Sequence, residues 1–115
     1  MQIVLICSKK EEVLNVLSFV NAFGDENNIV SVDSFVQAEN FLKQHTTDIV
    51  LLDADAEQVN WLFVYRKIRT IDKEVKVVLM STVKDFAVSA FEAGIWDYLI
   101  KPVKLEQLKR VLRKK

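Results

Sequence analysis

Short apolar runs recur along this chain, separated by stretches long enough for one helix each. Three of them, Ile3–Cys7, Ile49–Leu52 and Val75–Met80, are almost uninterrupted Val, Ile, Leu and similar residues. A strand with one wet face alternates apolar and polar residues. A run without alternation must be buried on both faces, as in a parallel sheet covered by helices. Two shorter runs, Ile29–Val32 and Tyr98–Ile100, complete a set of five.

The intervening stretches carry apolar residues at helical spacing. Val13, Leu14, Leu17 and Val20 form one set; Phe35, Ala38, Phe41 and Leu42 the next; Leu62, Tyr65 and Ile68 a third. Phe86, Ala87, Ala90 and Phe91 form a fourth, and Leu105, Leu108, Val111 and Leu112 the last. Ser8-Lys9-Lys10-Glu11 fits a capping box with Ser8 as N-cap and Glu11 as the returning carboxylate, and Ser34 to Gln37 fits a second. Gly94 stands where a left-handed residue ends the fourth helix. Strand then helix, five times over, predicts an α/β domain spanning residues 1–115. Right-handed crossovers make it a doubly wound parallel sheet with helices on both faces. Function in such sheets gathers beyond the carboxyl ends of the strands.

Composition removes several classes. Lys plus Arg and Asp plus Glu both number 16, so no net positive charge favours nucleic acid. The lone cysteine, Cys7, sits in an apolar run and reads as a small core residue of a reducing compartment. No run approaches a membrane span and no signal peptide is indicated, so the expected location is cytoplasmic, with no membrane partner. With only Gly24 and Gly94, the chain has no glycine-rich phosphate loop. No nucleophile stands beside a histidine, and no His/Cys cluster has metal-ligand spacing. A small flavodoxin-like enzyme is therefore disfavoured. His45 reads as a solvated helix end, as does the basic tail Lys109, Arg110, Arg113, Lys114 and Lys115.

The strand ends hold the candidate chemistry. The first ends at Cys7-Ser8-Lys9, the third at Asp53 with Asp55 close behind, the fourth at Ser81-Thr82 and the fifth at Lys101-Pro102. If these strands are neighbours, a carboxylate, a hydroxyl and one or two ammonium groups converge.

The stretches DIVLLDADAEQVNWLFVYRKIR, VVLMST and FEAGIWDYLIKPVKLEQL resemble response-regulator receiver (CheY-like) domains, and EAGxxDYLxKP is the most specific of these signatures. The intervals of 28 residues from Asp53 to Ser81 and 20 from Ser81 to Lys101 agree with that family. The resemblance implies a flavodoxin-like (βα)5 three-layer sandwich with strand order 2-1-3-4-5, and a part in two-component phosphorelay signalling. It implies Asp53 as the phosphoacceptor, taking its phosphoryl group from a histidine kinase. Lys101 would pair with that carboxylate, and Ser81 would bond the phosphoryl group and draw its loop inward. Tyr98 would be an aromatic switch, the Asp55 backbone carbonyl would reach a metal, and Lys101-Pro102 would be cis. A protein partner, or a second copy of the chain, would dock on the fourth helix, fifth strand and fifth helix. Any catalysis would be limited to phosphorylation and dephosphorylation of Asp53 itself. Each position also has a plain reading: Asp53 as a lysine-paired strand end, Ser81 as a turn hydroxyl, Tyr98 as a core ring.

The resemblance breaks where the family ends its first strand with two acids that bind Mg²⁺. Counting back from Val13 puts Ser8 and Lys9 there; counting forward from the apolar run puts Cys7 and Ser8. Neither register supplies an acid, and Glu11 and Glu12 stand at the wrong spacing. An ammonium ~4 Å from a carboxylate is worth roughly 4 kcal/mol at an effective dielectric near 20 and would repel a divalent ion. The expectation is an atypical receiver with little or no Mg²⁺ binding, in which Lys9 replaces the metal, Asp53 is bridged by Lys9 and Lys101, Mg²⁺-dependent phosphorylation of Asp53 is impaired and the domain acts through protein contacts; the alternative is a working phosphoacceptor that tolerates the missing acids. The loop after Asp53 also departs, with Glu57, Gln58 and Asn60-Trp61 where Pro, Gly and Asp-Gly are common. Helix three would then start early, with Trp61 covering the site, serving a partner or packing. Trp96 reads as a partly exposed packing residue.

Overall fold

In the computed structural model, which describes residues 1–24, 26–56 and 60–113, strands and helices alternate throughout. The strands are β1 Gln2–Ile6, β2 Asn28–Val32, β3 Ile49–Asp53, β4 Lys76–Ser81 and β5 Asp97–Ile100. The helices are α1 Lys10–Asn21, α2 Phe35–Gln44, α3 Trp61–Ile71, α4 Ala87–Ala93 and α5 Leu105–Arg113. All strands pair in parallel in the order β2-β1-β3-β4-β5. The doubly wound sheet and its strand order are thus as expected.

Alternation along each strand divides the core in two. Val4, Ile6, Val50, Leu52, Val77 and Leu79 pack under α2, α3 and α4. Ile3, Leu5, Cys7, Ile49, Leu51 and Met80 pack under α1 and α5. The absence of polar alternation in β1, β3 and β4 follows, since both faces are dry.

Of the two expected serine caps, one forms. Ser34 caps α2, its hydroxyl accepting the Gln37 N–H at 3.4 Å. Asn60 caps α3 by accepting from Leu62 N–H at 2.9 Å, so the helix starts at Trp61. The expected Ser8 capping box does not form: Lys9 is the N-cap of α1, with no side-chain hydrogen bond. The helix begins at Lys10, one residue too late for Ser8 to stand at its N-cap. Glu57, Gln58, Lys114 and Lys115 lie outside the described residues. Arg110 is not merely solvated but forks onto Asp97 at 3.0 and 3.3 Å. Trp61 packs against the α2–α4 core, Trp96 against the other with Lys76 over its ring, and His45 is exposed at the end of α2, stacked on Phe41. No helix among the described residues is long and apolar enough to cross a membrane.

Gly94 ends α4 in the left-handed region, with φ 108°. A Cβ there would come 2.5 Å from the Tyr65 hydroxyl oxygen. Gly94→Ala should cost about 2 kcal/mol in urea unfolding, from backbone strain plus this clash. Adding Tyr65→Phe should return the steric part and leave the strain.

Candidate functional site

Strand register decides which side chains meet. β1 and β3 pair with Ile3 opposite Ile49 and Ile6 opposite Leu52. One more step in this register sets Cys7 beside Asp53. Cys7 shares the face of Ile3 and Leu5, and Asp53 that of Ile49 and Leu51, so both point to the α1/α5 side. The Cys7 thiol donates to Asp53 Oδ2 at 3.7 Å. Cys7 therefore stands where the strand-end acid was sought, and Ser8 and Lys9 are exposed. The predicted Lys9–Asp53 bridge is absent: among the described residues, no ion pair joins Lys9 to any carboxylate. By Lys9 the strand has ended, and alternation no longer aims its side chain at Asp53.

Lys101 fills the centre. Its Nζ is 2.6 Å from Asp53 Oδ1, 2.5 Å from Glu12 Oε1 and 3.3 Å from Asp55 Oδ2. The Lys101 and Asp53 side chains are 8% and 2% exposed. Glu12, which spacing along the strand seemed to exclude, arrives from the first turn of α1. A helix that starts at Lys10 brings its third residue round to face the strand ends. Its Oε1 is shut off from solvent without a directed hydrogen bond, while Oε2 accepts from Lys101 Nζ at 3.4 Å.

Asp53 spends its two oxygens differently. Oδ1 accepts from Lys101 and from the Asp55 backbone N–H at 2.9 Å. Oδ2 accepts the weak thiol hydrogen bond. Asp55 turns its own carboxylate toward β4, where Ser81 Oγ donates to Oδ1 at 2.7 Å and Thr82 N–H to Oδ2 at 3.0 Å. The Tyr98 ring is buried and its hydroxyl donates to the Val83 carbonyl. The Lys101-Pro102 bond is cis.

The charges are tuned accordingly. Burial pushes the Cys7 thiol above its ordinary range, and the carboxylates of Asp53 and Glu12 push the same way. It is therefore a neutral donor at neutral pH. Burial alone would lower Lys101, but the hydrogen bonds and charges of Asp53 and Glu12 outweigh it and hold the ammonium well above its usual range. Burial opposes ionisation of Asp55, yet Ser81, Thr82 and Lys101 together bring it below the ordinary carboxylate range.

Residues 4–113 match the response regulator receiver domain family. The chain belongs to that family. Among relatives, the sensory transduction protein LytT of Oceanobacillus iheyensis is 29% identical over 89 residues, covering 73% of this chain and 36% of LytT. Chemotaxis protein CheY of Bacillus subtilis is 20% identical over 88 residues, covering 75% of this chain and 73% of CheY. This receiver thus spans about a third of the length of LytT. A response regulator from Thermotoga maritima superposes with TM-score 0.85 at 24% identity, over 98% of this chain and 94% of the other. The receiver domain of a Pseudomonas aeruginosa sensor histidine kinase superposes with TM-score 0.83 at 20% identity, again over 98% and 94%; its structure holds a magnesium ion in the active site cleft. These structural likenesses concern the fold.

The receiver site therefore brings together Asp53, Lys101, Ser81 and Asp55, leaves out Ser8 and Lys9, and adds Glu12 and Cys7. Removing Lys101 should expose the imbalance it holds. Lys101→Met should destabilise by about 3 kcal/mol, the low end for a broken buried pair because Glu12 stays partly solvated. Lys101→Met/Asp53→Asn should be less destabilised than Lys101→Met alone, read from urea midpoints.

The lowered Asp55 carboxyl contributes stability that is complete above its unfolded value near pH 4 and is lost as pH falls through the lower folded value. The raised Lys101 contributes fully below about pH 10 and is lost only above it. Melting temperature should accordingly drop below about pH 4, and Asp55→Asn should flatten that drop.

Proposed function

We propose that this chain is the receiver module of a phosphorelay regulator in which Asp53 keeps the phosphoacceptor position and its use of Mg²⁺ is weakened. The observation that carries the reading is the Lys101 ammonium, 2.6 Å from Asp53 and 2.5 Å from Glu12, claiming the oxygens that a divalent ion would need.

The nucleophile is Asp53 Oδ2, since Oδ1 is held by Lys101 and the Asp55 N–H. It attacks phosphorus of an N-phosphohistidine; the O–P bond forms as the N–P bond breaks, and the electron pair stays on the imidazole nitrogen. Lys101 offsets negative charge on the phosphoryl oxygens, and Ser81 is the neighbouring hydroxyl donor. Tyr98 is the residue through which the β4–α4 loop reports to the surface. The output face is α4, β5 and α5, where Phe86, Val88 and Phe91 are exposed, and the partner is a protein or a second copy of the chain.

The Cys7, Glu12 and Asp53 ligand atoms lie within 4.8 Å of one another. Glu12 and Asp53 suit a hard ion; a protonated thiol does not, and magnesium prefers oxygen ligands and retained waters. Glu12 and Asp53, with the Asp55 backbone carbonyl, would hold magnesium, and the ion would neutralise charge during transfer. The donor set fits in part, with two carboxylates in competition with Lys101.

The same entry of Glu12 favours a second reading, a fully working phosphoacceptor charged by a histidine kinase, with Glu12 in place of the strand-end acids. Incubation with acetyl phosphate, with and without Mg²⁺, separates the two by intact mass. The proposed reading expects a slow adduct of ~80 Da, one phosphoryl unit, that is lost in Asp53→Asn and changes little with Mg²⁺. Rapid labelling that saturates below a few millimolar Mg²⁺ would establish the second reading instead.

A further inference from the structure

Two hydrogen-bond donors stand together at the carboxyl end of β4, the Ser81 hydroxyl and the Thr82 backbone N–H. Both are already spent on the Asp55 carboxylate, one on each oxygen, at 2.7 and 3.0 Å. The third contact of that carboxylate is the Lys101 ammonium, 3.3 Å from Oδ2. A hydroxyl, an amide N–H and an ammonium are a complete set for an oxyanion. The same ammonium touches Asp53 Oδ1 at 2.6 Å, so an anion carried on Asp53 would reach for the donors that Asp55 holds.

The contact continues beyond the site. Ser81 Oγ also accepts the Val83 N–H at 3.0 Å. The Val83 carbonyl in turn accepts the Tyr98 hydroxyl. Hydrogen bonds therefore run unbroken from Asp55 through Ser81 and Val83 to Tyr98, with Ser81 wholly buried.

We propose that Asp55 is a built-in stand-in for the phosphoryl group: its carboxylate occupies the cradle of Ser81, Thr82 and Lys101, competes with any anion on Asp53, and holds the β4–α4 loop and Tyr98 in place without one. The inference rests on the reading of Asp53 as the phosphoacceptor. Asp55 is a positioning residue in this scheme, acting on the loop and through Lys101. Two effects follow. An anion at Asp53 meets a like charge within the reach of one lysine and must displace it. The loop, for its part, is already drawn in before any anion arrives.

The experiment titrates beryllium trifluoride, a phosphoryl stand-in, into the full chain at fixed Mg²⁺ while following the ¹H–¹⁵N signals of Thr82 and Val83. Before any probe is added, Asp55→Ala should move the Thr82 amide upfield and speed its hydrogen exchange. The probe midpoint should then fall at least about tenfold relative to the unsubstituted protein, because a like charge has gone. Asp55→Asn, which keeps the shape and an acceptor but not the charge, should fall between the two. It carries the test alone if Asp55→Ala loses its circular dichroism spectrum. A merely structural role for Asp55 predicts the opposite sign, a loosened loop and weaker binding. An unmoved Thr82 amide, or a midpoint that stays or rises while the unsubstituted protein binds in an Asp53-dependent way, overturns the inference and leaves the acceptor reading intact. Binding by neither protein, or binding indifferent to Asp53→Asn, overturns the acceptor reading and the competition with it.

Discussion

One ammonium holds this end of the sheet together. Lys101 follows β5, Asp53 ends β3, Asp55 begins the next loop and Glu12 sits on α1, and all three carboxylates touch the same nitrogen. Three negative charges against one positive leave a surplus that a further acid at the end of β1 would enlarge. Cys7 adds none, because burial and its acidic neighbours keep its thiol protonated. The carboxylate that meets Lys101 from this side comes from the helix, where Glu12 keeps contact with water on one side. The cost of assembling such charges falls when one remains partly solvated, and Glu12 is the most exposed of the three.

The sheet supplies the precision that this arrangement needs. Cys7 and Asp53 meet only because β1 and β3 run in a fixed parallel register and each residue is an even number of steps from its core-facing neighbours. A slip of one residue would turn Asp53 to the α2–α4 side and away from Lys101. Dry packing on both faces forbids the slip, since it would exchange every buried residue of β3. The apolar runs that define the fold therefore also aim the acid.

Much of this was legible along the chain. Five runs and five helical patterns suffice for the doubly wound sheet, because burial on both faces leaves strands with no alternation to misread. Asp53, Ser81 and Lys101 were legible for the same reason, each ending a run that had to end at one edge. The rest needed geometry. Ser8 and Lys9 were chosen by counting back from α1, whereas parity along β1 selects Cys7, and that count was available from the strand side. Glu12 was set aside on spacing because spacing along a strand says nothing about a residue that comes round a helix turn. Asp55 was read for its backbone alone; an acid two residues after the strand-end carboxylate and a serine ending the next strand were the signal that its side chain had donors to find. The Ser8 cap failed because α1 begins at Lys10, one residue later than the box requires.

The path from the site to the surface is built of contacts of modest worth. A net hydrogen bond contributes about 1 kcal/mol, and the run from Asp55 through Ser81 and Val83 to Tyr98 contains only a few. The sum falls in the range of typical couplings between sites, about 1–3 kcal/mol. A tether much stronger could not be altered by one charge, and one much weaker would not hold Tyr98 in its core. Just past Val83 the chain reaches Phe86 and α4, whose outer residues Val88 and Phe91 are left open to solvent. Under the proposed function, the charge balance around Lys101 and the shape of that apolar face are therefore two ends of one short lever, with Asp55 bearing on the inner end.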